Sequence, residues 1–289
     1  MLLVTDRLSK FYGKFRALHN LTMSIAPGEV FGLLGPNGSG KSTALRLILG
    51  FLRPSLGCST ISGHNSWSDG VRARAKTAYL PGELRLYENM TGRQLIQFLG
   101  GLRGRPLRAD LEEKARLFEI NIDIPMATMS SGMKRKVALL LVLDPASELV
   151  IMDEPTNALD PTMREALLEE VRQAKQRGQA VFFSSHVLTE VEAVCDRVGI
   201  LKEGQLAHLQ CMKELRAGRR VHMRLGSDGH LPTLEGLSLV RRDHCHVHFE
   251  HVGELEPLMS WLAKLQVEEL AMAPLGLDGI YRKIHGETA

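Results

Sequence analysis

Residues 35–43 have the types and the spacing that phosphate binding requires, because they satisfy the pattern G-x-x-x-x-G-K-[ST]. Polyphosphate needs a concave array of backbone N–H donors, and a loop can wrap that closely only where its side chains are small. Lys41 can reach the β- and γ-phosphates, and the Ser42 hydroxyl is the expected ligand of Mg²⁺. The predicted phosphate-binding residues are Gly35, Pro36, Asn37, Gly38, Ser39, Gly40, Lys41, Ser42 and Thr43.

Two adjacent acids, Asp153 and Glu154, follow a short apolar run at residues 149–152. Carboxylates at the end of a buried strand are costly unless a cation neutralises them. Beside a phosphate loop Mg²⁺ is the obvious cation. Asp153 is expected to contact the direct ligands of that ion rather than the ion itself. Glu154 points elsewhere and could orient or deprotonate an attacking water. The alternative, a structural ion pair at a strand end, is disfavoured by the phosphate loop.

Three further residues could contact a nucleotide, and each has a structural alternative. His186 follows an apolar strand predicted at 180–184, at the edge where the two acids also lie, so it could bond a γ-phosphate or the water attacking it. A solitary histidine is more often structural. Tyr12 could stack on a purine, or could be a half-buried strand aromatic. Ser130 precedes a helix, which it could simply cap, or whose N-terminus could bind an anion that another chain carries.

The hydrophobic pattern around these residues predicts the elements that position them. Residues 29–34 form a short apolar run suited to a buried strand, and residues 44–49 are helix-prone, so the phosphates would lie at a helix N-terminus. Residues 2–25 alternate apolar and polar side chains, which is typical of a small antiparallel sheet. Further strands are predicted at residues 59–63, 77–80, 149–152 and 180–184, a hairpin at 197–206, and helices within 91–129 and at 134–143, 161–177 and 188–195.

Composition narrows the class of protein. The chain has 289 residues, 44% hydrophobic and 24% charged, which leaves room for one large domain and one small one. A net charge of +3 is too small to indicate nucleic acid or an anionic membrane as partner, and the basic stretch at 103–108 is more simply a solvated loop than a phosphate or lipid contact. The longest apolar run, 137–143, is far below the roughly 18 residues of a membrane-spanning helix, and the N-terminus lacks a secretory signal. A soluble cytoplasmic protein is therefore expected.

In this order along the chain, the motifs resemble those of the ATP-binding-cassette (ABC) ATPases over residues 1 to about 215. The segments that carry the resemblance are Tyr12 for the adenine-stacking aromatic, 35–43 for the Walker A loop, 129–133 for the signature L-S-G-G-Q, 149–154 for Walker B, 157–160 for the D-loop and His186 for the switch histidine.

That resemblance implies an α/β fold, the P-loop NTPase ABC cassette, with a mixed sheet, an antiparallel β subdomain, an inserted helical subdomain and a small α/β C-terminal extension. It places the ATPase domain at residues 1–216, its helical subdomain at about 87–145 and an accessory domain at 217–289. It implies that Glu154 is the general base, that His186 senses the γ-phosphate, and that Ser42 and Asp153 hold Mg²⁺.

The family also works as pairs of cassettes that hold two nucleotides head to tail. By resemblance Ser130 and Gly132 contact the ATP bound to the opposite subunit, and Asp160 of the D-loop belongs to the nucleotide-binding residues. The second cassette is an identical copy or a paralogue.

Two departures from the family pattern point to one branch of it. Gly82 stands where a glutamine usually follows the proline of the Y-L-P segment, so Glu83, one place later, becomes the candidate for contacting Mg²⁺ and the lytic water. Ser131 and Met133 replace the first glycine and the glutamine of the signature. Both variants resemble the ATPases of ABC-2-type exporters, and ATP hydrolysis is expected to be retained.

The C-terminal tail contains alternating segments at 220–225 and 244–249, an amphipathic helix at 254–265, and a segment at 277–281 that resembles the closing segment of ABC-2-type ATPase tails. His244, His246 and His248 would share one strand face. A solvated face of an edge strand is favoured there over a metal site.

The predicted function is that of the ATP-hydrolysing motor of an ABC-2-type exporter, with ATP and Mg²⁺ as cofactors. It would act peripherally at the cytoplasmic face of the inner or plasma membrane, on a separately encoded polytopic permease. The groove between 81–86 and the helices of residues 92–128 is expected to receive a helix of that permease. An importer ATPase is one alternative, although its tail more often holds a longer β-barrel. A soluble ATPase acting on nucleic acid or ribosomes is another; the charge balance disfavours it, and no nucleic-acid partner is expected.

Overall fold

The computed structural model describes residues 1–104, 109–227 and 231–286, and the chain divides into two units, Met1–Leu209 and Gln210–Ala289. The solvated loop predicted at 103–108 lies outside the described residues from position 105 onward. Among the helices of the described ranges, none combines the length and the apolarity that crossing a membrane requires.

The first unit alternates strands and helices. Its strands are β1 (Leu3–Tyr12), β2 (Phe15–Ile25), β3 (Val30–Leu34), β4 (Leu56–Ile61), β5 (His64–Asn65), β6 (Thr77–Leu80), β7 (Leu149–Asp153), β8 (Ala180–Ser185), β9 (Arg197–Lys202) and β10 (Gln205–Cys211), the last of which runs past the division. Its helices are α1 (Lys41–Ile48), α2 (Gly70–Arg74), α3 (Gly92–Leu102), α4 (Leu111–Leu117), α5 (Ser131–Val142), α6 (Pro161–Gln176) and α7 (Leu188–Val194).

A six-stranded sheet with the order β10-β9-β3-β8-β7-β6 forms the centre of this unit. Strand β3 pairs in parallel with β8 and β9, and β7 pairs in parallel with β6 and β8. Strands β3, β7 and β8 are buried along their whole length, which explains why they appear in the sequence as continuous apolar runs. Because parallel strands end at the same edge, the loops that follow β3, β6, β7 and β8 meet there.

A second, antiparallel sheet has the order β2-β1-β4-β5 and confirms the prediction for the first 25 residues. Its β1–β2 turn brings Tyr12 opposite Phe15. The two sheets share one core with α1, to which β2 contributes Leu21, β3 contributes Phe31 and α1 contributes Leu45, all fully buried. This common core fixes α1, and with it the loop that precedes the helix, against both sheets.

The predicted hairpin at residues 197–206 is confirmed as β9 and β10, and its turn supports the phosphate loop. Glu203 and Gly204 have φ angles of 50° and 76°, the pair of positive values that a two-residue type I′ turn requires. The Gly204 amide donates a hydrogen bond to the Ser39 carbonyl at 3.0 Å. A Cβ atom at Gly204 would lie 3.0 Å from the Ala17 carbonyl oxygen, so the turn is packed closely against β2 as well.

Helices α3 to α5 lie between β6 and β7 in the sequence, and a buried ion pair joins α4 to α6. A capping box formed by Thr91 and Gln94 starts α3. The Lys114 ammonium lies 2.5 Å from Glu170, whose side chain is 1% exposed, and it also donates to Gln173 at 3.2 Å. Removing one member of such a pair leaves the other charge buried and unpaired.

Replacing Lys114 by Met is therefore expected to lower the free energy of unfolding by about 3–5 kcal/mol, measured by urea denaturation of the full chain. The double variant Lys114→Met with Glu170→Leu is expected to regain most of the loss, since an apolar pair can replace a buried ion pair at little cost. Lys76→Met serves as control, because Lys76 pairs with Glu148 on the surface and should contribute about 1 kcal/mol or less. Equal losses in Lys114→Met and Lys76→Met would contradict a structural role for the buried pair.

The second unit is a small α/β sheet structure. Its elements are α8 (Met212–Ala217), β11 (Arg219–Leu225), β12 (Leu237–Asp243), β13 (His246–His251), α9 (Leu255–Leu262), β14 (Val267–Pro274) and α10 (Leu277–His285). The four strands are antiparallel in the order β12-β13-β11-β14. Helix α9 packs on one face, where the Phe249 and Trp261 rings lie 5.4 Å apart, edge to face.

The expectation that three histidines share a strand face is wrong for one of them. His244 has φ 49° and lies in the turn between β12 and β13, because the two strands are joined by a two-residue connection. His246 and His248 lie on β13, and the ring of His248 is 4.1 Å from that of His222 on β11. Burial, followed by the neighbouring His222, lowers the pKa of His248. No group of three or more metal-ligating side chains occurs in the part of the chain that the structure describes.

Candidate nucleotide-binding site

The loop between β3 and α1 has a backbone path that only glycine permits at several positions. Gly38 and Gly40 have φ angles of 82° and 105°, in the region that L-residues with a Cβ avoid. At Gly35 a Cβ atom would lie 2.5 Å from the Ser39 hydroxyl and 2.8 Å from the Leu201 carbonyl oxygen. The loop therefore curves tightly around the N-terminus of α1, an arrangement that suits binding of an anion by its backbone amides.

The space in front of α1 is a cavity of about 290 Å³, and its lining fits a phosphate group. The N-cap of helix α1 is Gly40, which offers no capping side chain, and the first turn of the helix contains no acid. Within the described residues, no side-chain oxygen caps these N-terminal amides, which leaves them available to an anion. The buried hydroxyl of Ser39 also has no hydrogen-bond partner within the described residues. The lining residues are Phe15, Ala17, Pro36, Asn37, Gly38, Gly40, Lys41, Ser42, Thr43 and Glu154.

Lys41, the first residue of α1, is 6% exposed, and its side-chain ammonium is the positive charge of the site. Its ammonium donates to the carbonyl oxygens of Gly35 at 2.6 Å and Pro36 at 3.2 Å. It also lies 3.2 Å from Glu154 Oε1, an ion pair without hydrogen-bond alignment, since that oxygen has no hydrogen-bond partner. The positive charge is thus held at the floor of the cavity.

The two adjacent acids point in different directions because their backbones differ. Asp153 ends β7 and accepts a hydrogen bond from the Ser184 hydroxyl at 2.6 Å. Glu154 has φ 48°, outside the strand region, and its carboxylate lies between Lys41 and His186, whose Nδ1 is 2.8 Å from Glu154 Oε2. The structure therefore brings Lys41, Glu154 and His186 together, while Asp153 faces β8.

The loop after β6 lies against Asp153. A Cβ atom at Gly82 would be 3.3 Å from Asp153 Oδ2, closer than an ordinary van der Waals contact. Burial raises the pKa of Tyr79 on β6, and the nearby negative charge of Asp153 raises it further. Glu83 is exposed and makes no hydrogen bond or ion pair within the described ranges. Its contact with Mg²⁺ stays a prediction.

Ser130, Gly132 and Asp160, which the resemblance assigns to nucleotide contacts, lie at two helix N-termini. The Ser130 hydroxyl caps α5 by accepting from the Met133 amide at 3.2 Å, and Asp160 caps α6 by accepting from the Met163 amide at 2.9 Å. A Cβ atom at Gly132 would be 3.0 Å from the Ala158 carbonyl oxygen, so the segment before α6 packs against the start of α5. Both hydroxyl and carboxylate have a capping role here, and their contact with a nucleotide stays a prediction.

Two aromatic residues flank the turn of the β1–β2 hairpin. Tyr12 is 51% exposed, with the Lys10 ammonium 5.1 Å from its ring centre. Phe15, opposite Tyr12, is 66% exposed and lines the cavity. Sequence reasoning selects Tyr12 and misses Phe15, although the short turn at Gly13 is the signal that pairs them.

Sequence reasoning also misses Arg135 of α5, which is 3% exposed. Its guanidinium donates to the carbonyl oxygens of Pro81 at 3.2 Å, Gly82 at 3.0 Å and Glu154 at 2.5 Å. An arginine in the middle of a helix carries no signal of such contacts, because the carbonyl oxygens it meets come from segments far away in the sequence.

A second cavity, of about 300 Å³, opens on the other side of the loop after β6. Its walls are mostly apolar and come from β6, the following loop, α3 and α5, with Leu80, Pro81, Ile96, Leu99 and Leu141 among them. Arg85, Arg103 and Asp144 also line it. It overlaps the predicted groove along residues 81–86 and α3, but its remaining walls come from β6 and α5 and not from α4. The docking of a membrane partner there stays a prediction.

Comparison with known proteins adds independent findings. The family model described as ABC transporter matches residues 18–157. The linearmycin resistance ATP-binding protein of Bacillus subtilis (strain 168) is 34% identical over 266 residues, which cover 88% of this chain and 83% of that protein. The Nod factor export ATP-binding protein I of Paraburkholderia xenovorans (strain LB400) is 35% identical, with coverage of 69% and 67%. A solved structure of the ATP-binding subunit of an ABC transporter has 30% identity and a TM-score of 0.67 and covers 75% of this chain and 92% of its own. The predicted cassette fold is confirmed.

Proposed function

Because this chain belongs to the ABC transporter family of ATP-binding proteins and is an ATPase, we propose that it is the ATP-hydrolysing motor subunit of an ABC-2-type exporter. The observation that carries the proposal is the convergence of Lys41, Glu154 and His186 at the phosphate cavity. The direction of transport is supported by similarity to a protein of Nod factor export and to one of linearmycin resistance.

The residues of the cavity fit ATP with Mg²⁺. The loop amides and the N-terminus of α1 bind the phosphates, and Lys41 neutralises the β- and γ-phosphates. The Ser42 hydroxyl, which lines the cavity, and the Asp153 carboxylate, at the end of the neighbouring strand, would hold Mg²⁺. When bound, Mg²⁺ neutralises charge that develops on the phosphates during hydrolysis.

Glu154 is the general base of the proposed reaction, since its carboxylate reaches the cavity and can take a proton from the attacking water. With both ring nitrogens protonated, His186 donates Nδ1–H to the same carboxylate and can donate Nε2–H to a γ-phosphate oxygen. When ATP enters, Lys41 moves its charge from Glu154 to the phosphates, and the carboxylate becomes available to the water.

We place the second nucleotide contact in a head-to-tail pair of cassettes, either two copies or a copy and a paralogue. Helix α5 offers its N-terminus without an acid in the first turn, so Ser130 and Gly132 can meet phosphates that a second copy carries. Two more residues belong to the proposed nucleotide contacts: Asp160 in the D-loop, and Tyr12, which would stack on the adenine. We assign residues 1–216 to the ATPase domain, 87–145 to its helical part and 217–289 to the accessory domain.

The partner proposed for the apolar cavity is a cytoplasmic helix of a separate polytopic permease, so the chain would lie peripherally at the cytoplasmic face of the membrane. The exposed aromatic pair Tyr87 and Phe98, with ring centres 5.9 Å apart, and exposed Leu102 extend the apolar surface on α3 and the segment before it. Such an apolar cleft between a loop and two helices is suited to the apolar side of an amphipathic helix.

Affinity capture of the tagged full chain from solubilised membranes tests the proposal. The wild type is expected to retain a polytopic membrane protein and no extracytoplasmic binding protein. Leu99→Asp, in the wall of the apolar cavity, should lose that membrane protein by tenfold or more, whereas Leu117→Asp, an exposed position on α4 outside the cavity, should retain it. Recovery of ribosomal or DNA-bound proteins in its place would contradict the exporter function, and recovery of a binding protein would favour an importer.

A further inference from the structure

Arg135 carries a positive charge into the interior of the first unit, and among the described residues no carboxylate forms a hydrogen bond or ion pair with it. The residue is 3% exposed, and its hydrogen bonds within the described residues go to three backbone carbonyl oxygens. Burying a charge is costly unless it is well hydrogen-bonded. The two terminal nitrogens of Arg135 are bonded, whereas its buried Nε has no hydrogen-bond partner within the described residues. The carboxylates of Asp153 and Glu154 lie close enough to oppose the effect of burial, which lowers the pKa of Arg135.

The three carbonyl oxygens belong to two separate loops of the site. Those of Pro81 and Gly82 are in the loop after β6 and share one terminal nitrogen of the guanidinium, and that of Glu154 follows β7 and bonds the other. A guanidinium is planar and rigid, so its two terminal nitrogens keep a fixed separation. The two loops are thus held at one distance by a single side chain.

The contact with Glu154 acts on a strained part of the chain. Glu154 has φ 48°, and a non-glycine residue in that region needs support from its surroundings. Its amide donates to the Ser184 hydroxyl at 3.0 Å, and its carbonyl oxygen accepts from Arg135 at 2.5 Å and from the Asn157 amide at 3.2 Å. These bonds hold the peptide groups on both sides of the Cα atom and so set the direction in which the carboxylate points.

The other end of the connection reaches the apolar cavity. Pro81 lines that cavity, and its carbonyl oxygen is one of the three that Arg135 binds. If a side chain or helix in the cavity displaced the Pro81 peptide, the hydrogen bonds of the guanidinium would connect that displacement to the Glu154 peptide.

We propose that Arg135 is a positioning residue that couples the state of the apolar cavity to the orientation of the Glu154 carboxylate. The inference rests on the proposed function, since it takes Glu154 as the base. It adds that a partner in the cavity controls hydrolysis through this one guanidinium rather than by contact with the nucleotide.

The first test separates positioning from folding in the full chain. In Arg135→Met, kcat per ATP-binding site is expected to fall about 10- to 100-fold, whereas KM for ATP should change less than twofold, because the phosphate loop is untouched. Arg135→Lys should recover part of kcat, since an ammonium can bond one or two of the three oxygens. Arg74→Met is the matched control: Arg74 donates to the Leu49 carbonyl oxygen at 2.6 Å, outside the site, and its loss should leave kcat unchanged.

The second test fills the cavity from within the chain. Leu99→Trp is expected to change kcat at least threefold when Arg135 is present and to have no further effect when combined with Arg135→Met. Loss of ATP binding in Arg135→Met and Arg135→Lys alike, an unchanged kcat, or equal effects of Leu99→Trp in both backgrounds would overturn the proposal. The proposal would also be overturned if Leu99→Trp left kcat unchanged both with Arg135 present and in the Arg135→Met background. No membrane partner is used, so failure to find a permease would count against the exporter function only.

Discussion

Replacing Glu154 by Gln is expected to reduce ATP turnover by about 10²- to 10⁴-fold while the chain still binds ATP with Mg²⁺. An amide has nearly the shape of the carboxylate but cannot accept the proton of the attacking water. The side chain lies in the cavity between Lys41 and His186, so the neutral amide also removes a competitor for the Lys41 ammonium. Nucleotide affinity should therefore be unchanged or higher. Steady-state phosphate release and equilibrium ATP binding on the same preparation check both parts.

Glu169→Gln is the control for this change, because Glu169 forms an exposed pair with Arg172 on α6 and lies outside the cavity. Its turnover should equal that of the wild type. If Glu154→Gln kept turnover within twofold of the wild type, another group would have to be the base, and the roles of His186 and Arg135 derived from Glu154 would fail with it.

Replacing Lys41 by Met is expected to weaken ATP binding about 10- to 100-fold, since charge-assisted hydrogen bonds to the phosphates are lost. The loss should be large for ATP and ADP and small for AMP, because an ammonium at the floor of the cavity meets the β- and γ-phosphates only. Binding of all three nucleotides by isothermal titration calorimetry measures the difference.

Lys213→Met is the control, because Lys213 is an exposed lysine on α8. It removes one positive charge as well, but the affinities for ATP, ADP and AMP should stay unchanged. Equal losses for ATP and AMP in Lys41→Met would mean that the substitution disturbs the loop as a whole and would contradict the specific role. The buried contact of Lys41 with Glu154 makes a thermal unfolding curve of the variant a necessary companion measurement.

The central parts of the fold can be predicted from the sequence because few residue types satisfy their physical demands. Strands β3, β7 and β8 are buried on both faces and appear as apolar runs. The phosphate loop needs glycine where φ is positive or where a Cβ would collide, as at Gly35 and Gly40. Charges at strand ends, such as Asp153 and Glu154, stand out against their apolar neighbours.

Other parts depend on contacts between distant segments, which a local pattern does not contain. Arg135 donates to carbonyl oxygens of residues that are 54 and 19 positions away in the sequence. Because every residue type has a backbone carbonyl group, the sequence does not mark these partners. Phe15 lines the cavity because the hairpin turn brings it opposite Tyr12. The edge strands β12 and β14 are exposed on most of their residues and so lack the alternation that marks β11 and β13. His244 leaves the strand because the connection there is only two residues long.

The positions of the two tryptophans give the protein a pair of built-in optical reporters. Trp67 belongs to the first unit and is 49% exposed, while Trp261 belongs to the second, is 5% exposed and donates its indole N–H to the Pro232 carbonyl oxygen at 3.1 Å. A water-facing indole emits at longer wavelengths than a shielded one, so the native spectrum is expected to be the sum of two overlapping bands, which the single-tryptophan variants separate. In Trp67→Phe the remaining fluorescence follows only the loosening of the second unit, and in Trp261→Phe only that of the first.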